Sequence, residues 1–194
     1  MADAPAAPPR PPLRVPTRVV VALTGATGVI YGIRLLEALG GVPDVETHLI
    51  VSTPAKRTLA EETDYSLRDV ERLGHVVHDV RDIGASLASG SFRTAGMVVA
   101  PCSIRTAAAI ATGVTSNLVT RAADVTLKEG RPLILLVRET PLHVGHLRTL
   151  VALAEMGAVV LPPMPAFYDR PKGIEDLVNH TVARVLDRLG LPRA

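Results

Sequence analysis

The apolar positions of this chain fall into short continuous runs separated by stretches with helical spacing. Val19 to Leu23 is an unbroken run of β-branched and apolar residues and predicts a buried strand. Gly25 and Gly28 punctuate the next few positions, and Val29, Ile33, Leu36 and Gly40 then recur on one helical face. Val45 to Val51 predicts a second strand, after which Ser52 and Pro54 mark a helix start, where proline gives up no hydrogen bond. The pattern weakens from Ser66 to Ser91. It allows a short strand near Val76 and Val77, then a stretch carrying Gly84, Ser86, Ser89, Gly90 and Ser91 that is expected to be a mobile loop. Met97 to Ala100 predicts a strand stopped by Pro101, with Ser103 capping a helix through Ile110 and another helix over Asn117 to Lys128. Leu133 to Val137 reads as a strand, Leu142 to Met156 as a helix and Ala158 to Leu161 as a short strand. A last helix aligns Ile174, Leu177, Val178, Val185 and Leu189.

Strands without polar alternation, separated by amphipathic helices, imply a mainly parallel sheet covered on both faces: a doubly wound, Rossmann-like, three-layer α/β fold. Such folds bind ligands beyond the carboxyl ends of their strands, here the loops after Leu23, Val51, Ala100, Val137 and Leu161. Residues 1–17, with Pro5, Pro8, Pro9, Pro11, Pro12 and Pro16 among alanines, are expected to be a disordered tail, leaving 18–194 as one domain.

Composition narrows the function. Only 3% of the 194 residues are aromatic, too few for base stacking along single-stranded nucleic acid. Setting aside Arg10, Arg14, Arg18 and Asp3 reduces 21 basic and 19 acidic residues to 18 of each, so no basic stripe is expected for a nucleic-acid backbone. Cys102 is the only cysteine, which excludes a disulfide framework or a multi-cysteine zinc site and suggests a reducing, cytoplasmic setting. No apolar stretch is long enough to cross a bilayer, and no secretory signal precedes the domain, so a soluble protein is expected. His143 and His146 lack the carboxylates of a zinc motif, and no D-D-x-x-D run is present to hold magnesium on a diphosphate, so no metal is expected.

Three loops carry candidate chemistry. Thr24-Gly25-Ala26-Thr27-Gly28 opens the first helix, and free N–H groups, a helix dipole and two hydroxyls are expected to face the crevice. Its glycine spacing is not G-x-G-x-x-G, and Ser52 rather than an acidic residue ends the second strand, which favours a mononucleotide over a nicotinamide dinucleotide. Pro101-Cys102-Ser103-Ile104-Arg105-Thr106 offers hydroxyls and a guanidinium at a helix N-terminus, suited to a phosphate or a flavin edge, with Cys102 read as packing. Arg138-Glu139-Thr140-Pro141 places charges at the end of a buried strand, which is costly unless they are paired or working. Taken alone, Lys128-Glu129 reads as a solvated helix end and Arg184 as the polar face of the last helix.

Together, Leu23-Thr24-Gly25-Ala26-Thr27-Gly28, Glu62-Thr63-Asp64, Ala88-Ser89-Gly90-Ser91, Ala100-Pro101-Cys102-Ser103, Arg121-Ala122-Ala123-Asp124 to Lys128-Glu129, Arg138-Glu139-Thr140-Pro141-Leu142 and Pro165-Ala166-Phe167-Tyr168 resemble the UbiX-type flavin prenyltransferases, in order and over the chain after the tail. The resemblance implies that reduced FMN is alkylated by dimethylallyl monophosphate at N5 and then C6, without a metal. The product would serve UbiD-type decarboxylases, and the enzyme would be a homo-oligomer, usually a dodecamer, with sites completed by neighbouring subunits. It implies further that Gly25, Ala26, Thr27, Ser52, Ser103, Ile104, Arg105, Thr106 and Arg138 hold FMN. Ser89, Lys128, Arg138, Glu139, Tyr168 and Arg184 would surround the prenyl phosphate, and Glu62 would approach the flavin edge.

The chemistry is consistent with this. Breaking an allylic C–O bond leaves an anionic phosphate, which Lys128, Arg138 and Arg184 would stabilise, with Tyr168 donating a hydrogen bond. Loss of the C6 proton needs a base, for which Glu62, Glu139 and the departing phosphate are candidates. Thr27 stands where the family usually has serine, keeping the hydroxyl but adding a methyl where flavin and prenyl group would meet. The alternatives are a non-catalytic FMN-binding or carrier subunit of a decarboxylase system, or a flavin-dependent cysteine decarboxylase. The latter normally carries a catalytic histidine and an asparagine in the block that here reads Pro101 to Thr106.

Overall fold

A parallel strand buried on both faces shows no polar alternation, and the apolar runs of this chain are used in that way. The computed structural model describes residues 16–193. The elements run in the order β1 (Thr17–Leu23), α1 (Ile30–Gly40), β2 (Val45–Val51), α2 (Thr53–Glu62), α3 (Leu67–Leu73), β3 (Val76–His78), β4 (Gly96–Cys102), α4 (Ile104–Ala111), α5 (Leu118–Lys128), β5 (Leu133–Val137), α6 (Val144–Glu155), β6 (Val159–Val160) and α7 (Ile174–Leu189). The strands pair in parallel in the order β3-β2-β1-β4-β5-β6. Chain order therefore reverses between β1 and β4, where Val19 to Ala22 pair with Gly96 to Val99. That reversal opens a crevice beyond the carboxyl ends of the two strands.

Alternate residues of each strand serve opposite layers. Val19, Val21 and Leu23 pack with Ile33 and Leu36 of α1 and Val182 and Val185 of α7, whereas Val20 and Ala22 join Ala107, Ile110, Leu118 and Ala122 of α4 and α5. At about 25 cal/mol per Å² of apolar surface, these two dry layers supply most of the driving force for folding.

Several expectations shift. β1 already includes Thr17, while the proline-rich stretch through residue 15 lies outside the described residues. Helix α3 was not expected, because only Val70 of its seven residues is buried; the capping box of Ser66 and Asp69 is the local signal for it. The Gly/Ser stretch is not a loose loop. Leu87 is buried in a 3-10 turn, Arg131 donates to the carbonyls of Gly90 (2.7 Å) and Phe92 (2.8 Å), and Leu118 N donates to Val80 O at 2.8 Å. Helix α6 starts at Val144 rather than Leu142, because His143 Nδ1 caps it by accepting from the N–H groups of Gly145 (3.0 Å) and His146 (3.3 Å). Among the described residues no helix is long and apolar enough to cross a membrane.

Candidate functional site

Thr24, at the end of β1, stitches the crevice together. Its buried hydroxyl donates to Pro101 O (2.7 Å) and accepts from Ser103 N (2.8 Å), locking the β1 turn to the end of β4. On either side, Ser52 N donates to Leu23 O at 3.0 Å and Arg138 N to Cys102 O at 3.0 Å, so adjacent strand ends present their next residues at one level. Gly25 lets the turn pass beside α2: a Cβ there would stand 2.3 Å from Pro54 Cβ.

Three helices begin at this level, each with a side chain satisfying one of its first N–H groups. Ser52 accepts from Ala55 N (3.3 Å) at α2, Ser103 from Thr106 N (3.2 Å) at α4, and Asn117 from Thr120 N (3.1 Å) at α5. They surround a cleft of about 780 Å³ whose walls include Gly25, Ala26, Thr27, Ser52, Ser103, Ile104, Arg105, Thr106, Arg138 and Glu139. Its volume is that of a small-molecule site. Every residue expected to hold FMN lines it. Three helix N-termini with the guanidiniums of Arg81, Arg105 and Arg138 favour a phosphate, and the hydroxyl and amide edges suit a polar ring, so the donor set fits FMN. The cleft also includes Val80, Arg81, Ser116, Asn117 and Thr120, which sequence reasoning missed. The helix expected from Asn117 does start there, capped by Asn117 and Thr120, but nothing local shows that this terminus reaches the cleft, and nothing local marks Val80 and Arg81.

The first turn differs from expectation. Gly28 N and Val29 N do not face the crevice as free donors, because Glu62 Oε2 accepts from both (2.8 and 3.3 Å) and closes the α1 terminus, whose own N-cap makes no side-chain bond. Thr24 likewise spends its hydroxyl on Pro101, leaving Thr27 as the hydroxyl of this turn in the cleft. Glu62 lies outside the lining of the cleft, as a clamp on the turn that does line it. Glu62→Ala is expected to lower stability by about 1 kcal/mol in urea unfolding, while Glu62→Gln, which still accepts through its amide oxygen, should lose less than half of that.

The residues expected around the prenyl phosphate do not meet within one chain. Arg138 and Glu139 line the cleft. Ser89 and Lys128 stand at the other end of the sheet: α5 runs from the cleft back toward the start of β5, and the Lys128–Glu129 pair (3.2 Å) packs on Gly90. Tyr168 and Arg184 form a third group by the edge strand β6, where Arg184 lines a hollow with Val159 to Pro162, Met164 and His180. Tyr168 is 78% exposed.

Two titrating groups refine the chemistry. Burial pushes the Tyr31 phenol up from its ordinary value, an effect that the Arg138 charge partly offsets, which places Arg138 electrostatically beside the first turn of α1. Burial pushes the Cys102 thiol up to about 12, so it remains a protonated packing group beneath the cleft. Iodoacetamide should therefore label Cys102 roughly a hundredfold more slowly in the native protein than in urea, as read by mass spectrometry.

The flavoprotein family model matches residues 12–186. The flavin prenyltransferase UbiX of Escherichia coli K12 is 57% identical over 174 residues, covering 90% of this chain and 92% of that protein. The crystal structure of a dodecameric FMN-dependent UbiX-like decarboxylase from Escherichia coli O157:H7 superposes with a TM-score of 0.90 at 51% identity, covering 91% of this chain and 96% of that one. That of AnUbiX (PadA1) in complex with FMN and dimethylallyl pyrophosphate superposes with a TM-score of 0.89 at 48% identity, covering 91% and 93%. A PPC decarboxylase, at 20% identity and a TM-score of 0.62, shares the fold alone. The chain belongs to the flavoprotein family and, within it, to the UbiX flavin prenyltransferases.

Proposed function

We propose that the protein is a flavin prenyltransferase that joins the dimethylallyl group of dimethylallyl monophosphate to N5 and C6 of reduced FMN, without a metal, and supplies the product to a UbiD-type decarboxylase in the cytoplasm. The observation that carries this reading is the cleft at the β1–β4 switch point, where three capped helix N-termini meet Arg105 and Arg138, in a chain 57% identical to a flavin prenyltransferase. FMN supplies the nucleophilic atoms. The protein supplies binding through Gly25, Ala26, Thr27, Ser52, Ser103, Ile104, Arg105, Thr106 and Arg138.

The anionic phosphate left by C–O cleavage calls for fixed positive charge, and Arg138 stands at the cleft for that purpose. Glu139 beside it accepts from Thr140 N at 3.1 Å through Oε1, leaving Oε2 to take a proton from the flavin. Glu62 holds the turn that carries Thr27, the residue in the cleft where the prenyl group is to meet the flavin. Ser89 and Lys128 of one chain, with Tyr168 and Arg184, complete the phosphate site through neighbouring subunits of a homo-oligomer, in keeping with the dodecameric relative. The exposed apolar residues Val144, Leu147 and Val151 along α6 support burial against another copy.

Anaerobic incubation with reduced FMN and dimethylallyl monophosphate, followed by mass analysis of the released flavin, tests the activity. The expected product is FMN heavier by one isoprene unit. Recovery of unmodified FMN alone, from protein that demonstrably binds it, would exclude the transferase and leave a carrier.

A further inference from the structure

The 3-10 turn Phe167–Asp169 is held on α7 by a single histidine. His180 Nδ1 lies 2.7 Å from Asp169 Oδ2, and its Nε2 lies 3.2 Å from Tyr168 Oη, with the two rings edge to face at 5.7 Å. An ionised carboxylate only accepts, so Nδ1 carries hydrogen and the state of Nε2 decides which way the second bond runs. A bare Nε2 accepts the Tyr168 O–H, and the phenol oxygen then faces outward as an acceptor, repelling an anion. A protonated Nε2 donates to Tyr168 Oη and releases its O–H to donate outward. Arg184 comes one helical turn after His180, and both line the same hollow beside β6.

We propose that Asp169 and His180 are positioning residues that make Tyr168 a hydrogen-bond donor to the phosphate of the prenyl donor, so that binding this phosphate takes up one proton at His180 Nε2. The proposal rests on the assignment of Tyr168 and Arg184 to that phosphate. The charged groups around the imidazole account for the linkage. Asp169 on the turn and Asp176 on α7 favour the imidazolium, while Arg170 and Lys172 of the next loop and Arg184 and Arg188 of α7 oppose it. A phosphate dianion bound beyond Tyr168 adds negative charge beside this cluster and an acceptor for the phenol O–H, and both favour hydrogen on Nε2.

The test uses full-length protein loaded with oxidised FMN, so that no turnover occurs. Dimethylallyl monophosphate is titrated in by calorimetry, in buffers of different ionisation enthalpy, for the wild type, H180Q, H180A, Y168F and the H180A/Y168F double variant. The wild type should take up a proton beyond any uptake by the phosphate itself. H180Q, whose amide N–H can still donate to Tyr168, should bind within about threefold of the wild type without that extra uptake. H180A should bind about tenfold more weakly, and the double variant no more weakly than Y168F, with FMN content unchanged throughout. Equal proton uptake in the wild type and H180Q, or unchanged donor affinity in H180A, overturns the relay. The prenylation assay run in parallel separates the two readings. A wild type that binds the donor with His180-dependent uptake yet forms no prenylated flavin overturns the transferase assignment alone.

Discussion

Replacing Arg138 by alanine is expected to lower FMN affinity about ten- to a hundredfold while leaving the fold intact. A hydrogen bond to a charged partner contributes about 1.5–3 kcal/mol, and each 1.4 kcal/mol is a factor of ten in binding. The side chain lies in the cleft, close enough to Tyr31 to affect its titration, and is not part of either core layer. The backbone at this position is anchored by Arg138 N to Cys102 O, a bond that the substitution keeps. Unfolding in urea should therefore change by less than about 0.5 kcal/mol. Fluorescence titration of FMN reads the loss directly. Arg138→Lys should recover only part of it, because an ammonium lacks the planar fork of a guanidinium. FMN affinity equal to that of the wild type in Arg138→Ala would remove this residue from the site.

The largest loss of stability is expected from Gly32→Ala. Gly32 lies on the buried face of α1, where a Cβ would meet the Ala100 carbonyl oxygen at 2.3 Å and the Leu23 side chain at 3.0 Å. Neither neighbour can give way freely: one is backbone of the central strand β4 and the other is fully buried in β1. Helix α1 must move off the sheet, against a layer packed at close to crystal density, at a cost of about 3 kcal/mol. Denaturant unfolding should show the midpoint falling with an unchanged slope. FMN retention should fall with it, because the same shift displaces the turn from Thr24 to Gly28. A variant as stable as the wild type would mean that α1 has room to stand off β4 at no cost.

Much of this architecture is carried by local patterns. Buried parallel strands need continuous apolar runs, so Val19 to Leu23 and Leu133 to Val137 announce themselves, as does α7 through its apolar face. The residues after those strands were legible as the cleft for the same reason: in a doubly wound fold, chain order alone carries Thr27, Ser52, Ser103 and Arg138 to the carboxyl end of the sheet. Weak amphipathic patterns were less informative. α3 buries one residue, and the stretch from Gly84 to Ser91 owes its order to Arg131, about forty residues away in sequence.

The sequence by itself thus determined the layers, the family and the strand-end residues that line the cleft, but not Val80, Arg81, Ser116, Asn117 or Thr120 of its wall. Only the tertiary structure decided how those residues are engaged. Glu62 closes the α1 terminus across 34 positions, and Thr24 clasps Pro101 across 77, contacts set by how helices and strands pack rather than by any local period. The same packing separates Ser89 and Lys128 from Arg138 by the length of the sheet. A parallel sheet sends each helix back to the amino ends of the strands and so divides one chain's charges between its two ends, while the segment after β6 folds onto α7 and sets Tyr168 against His180.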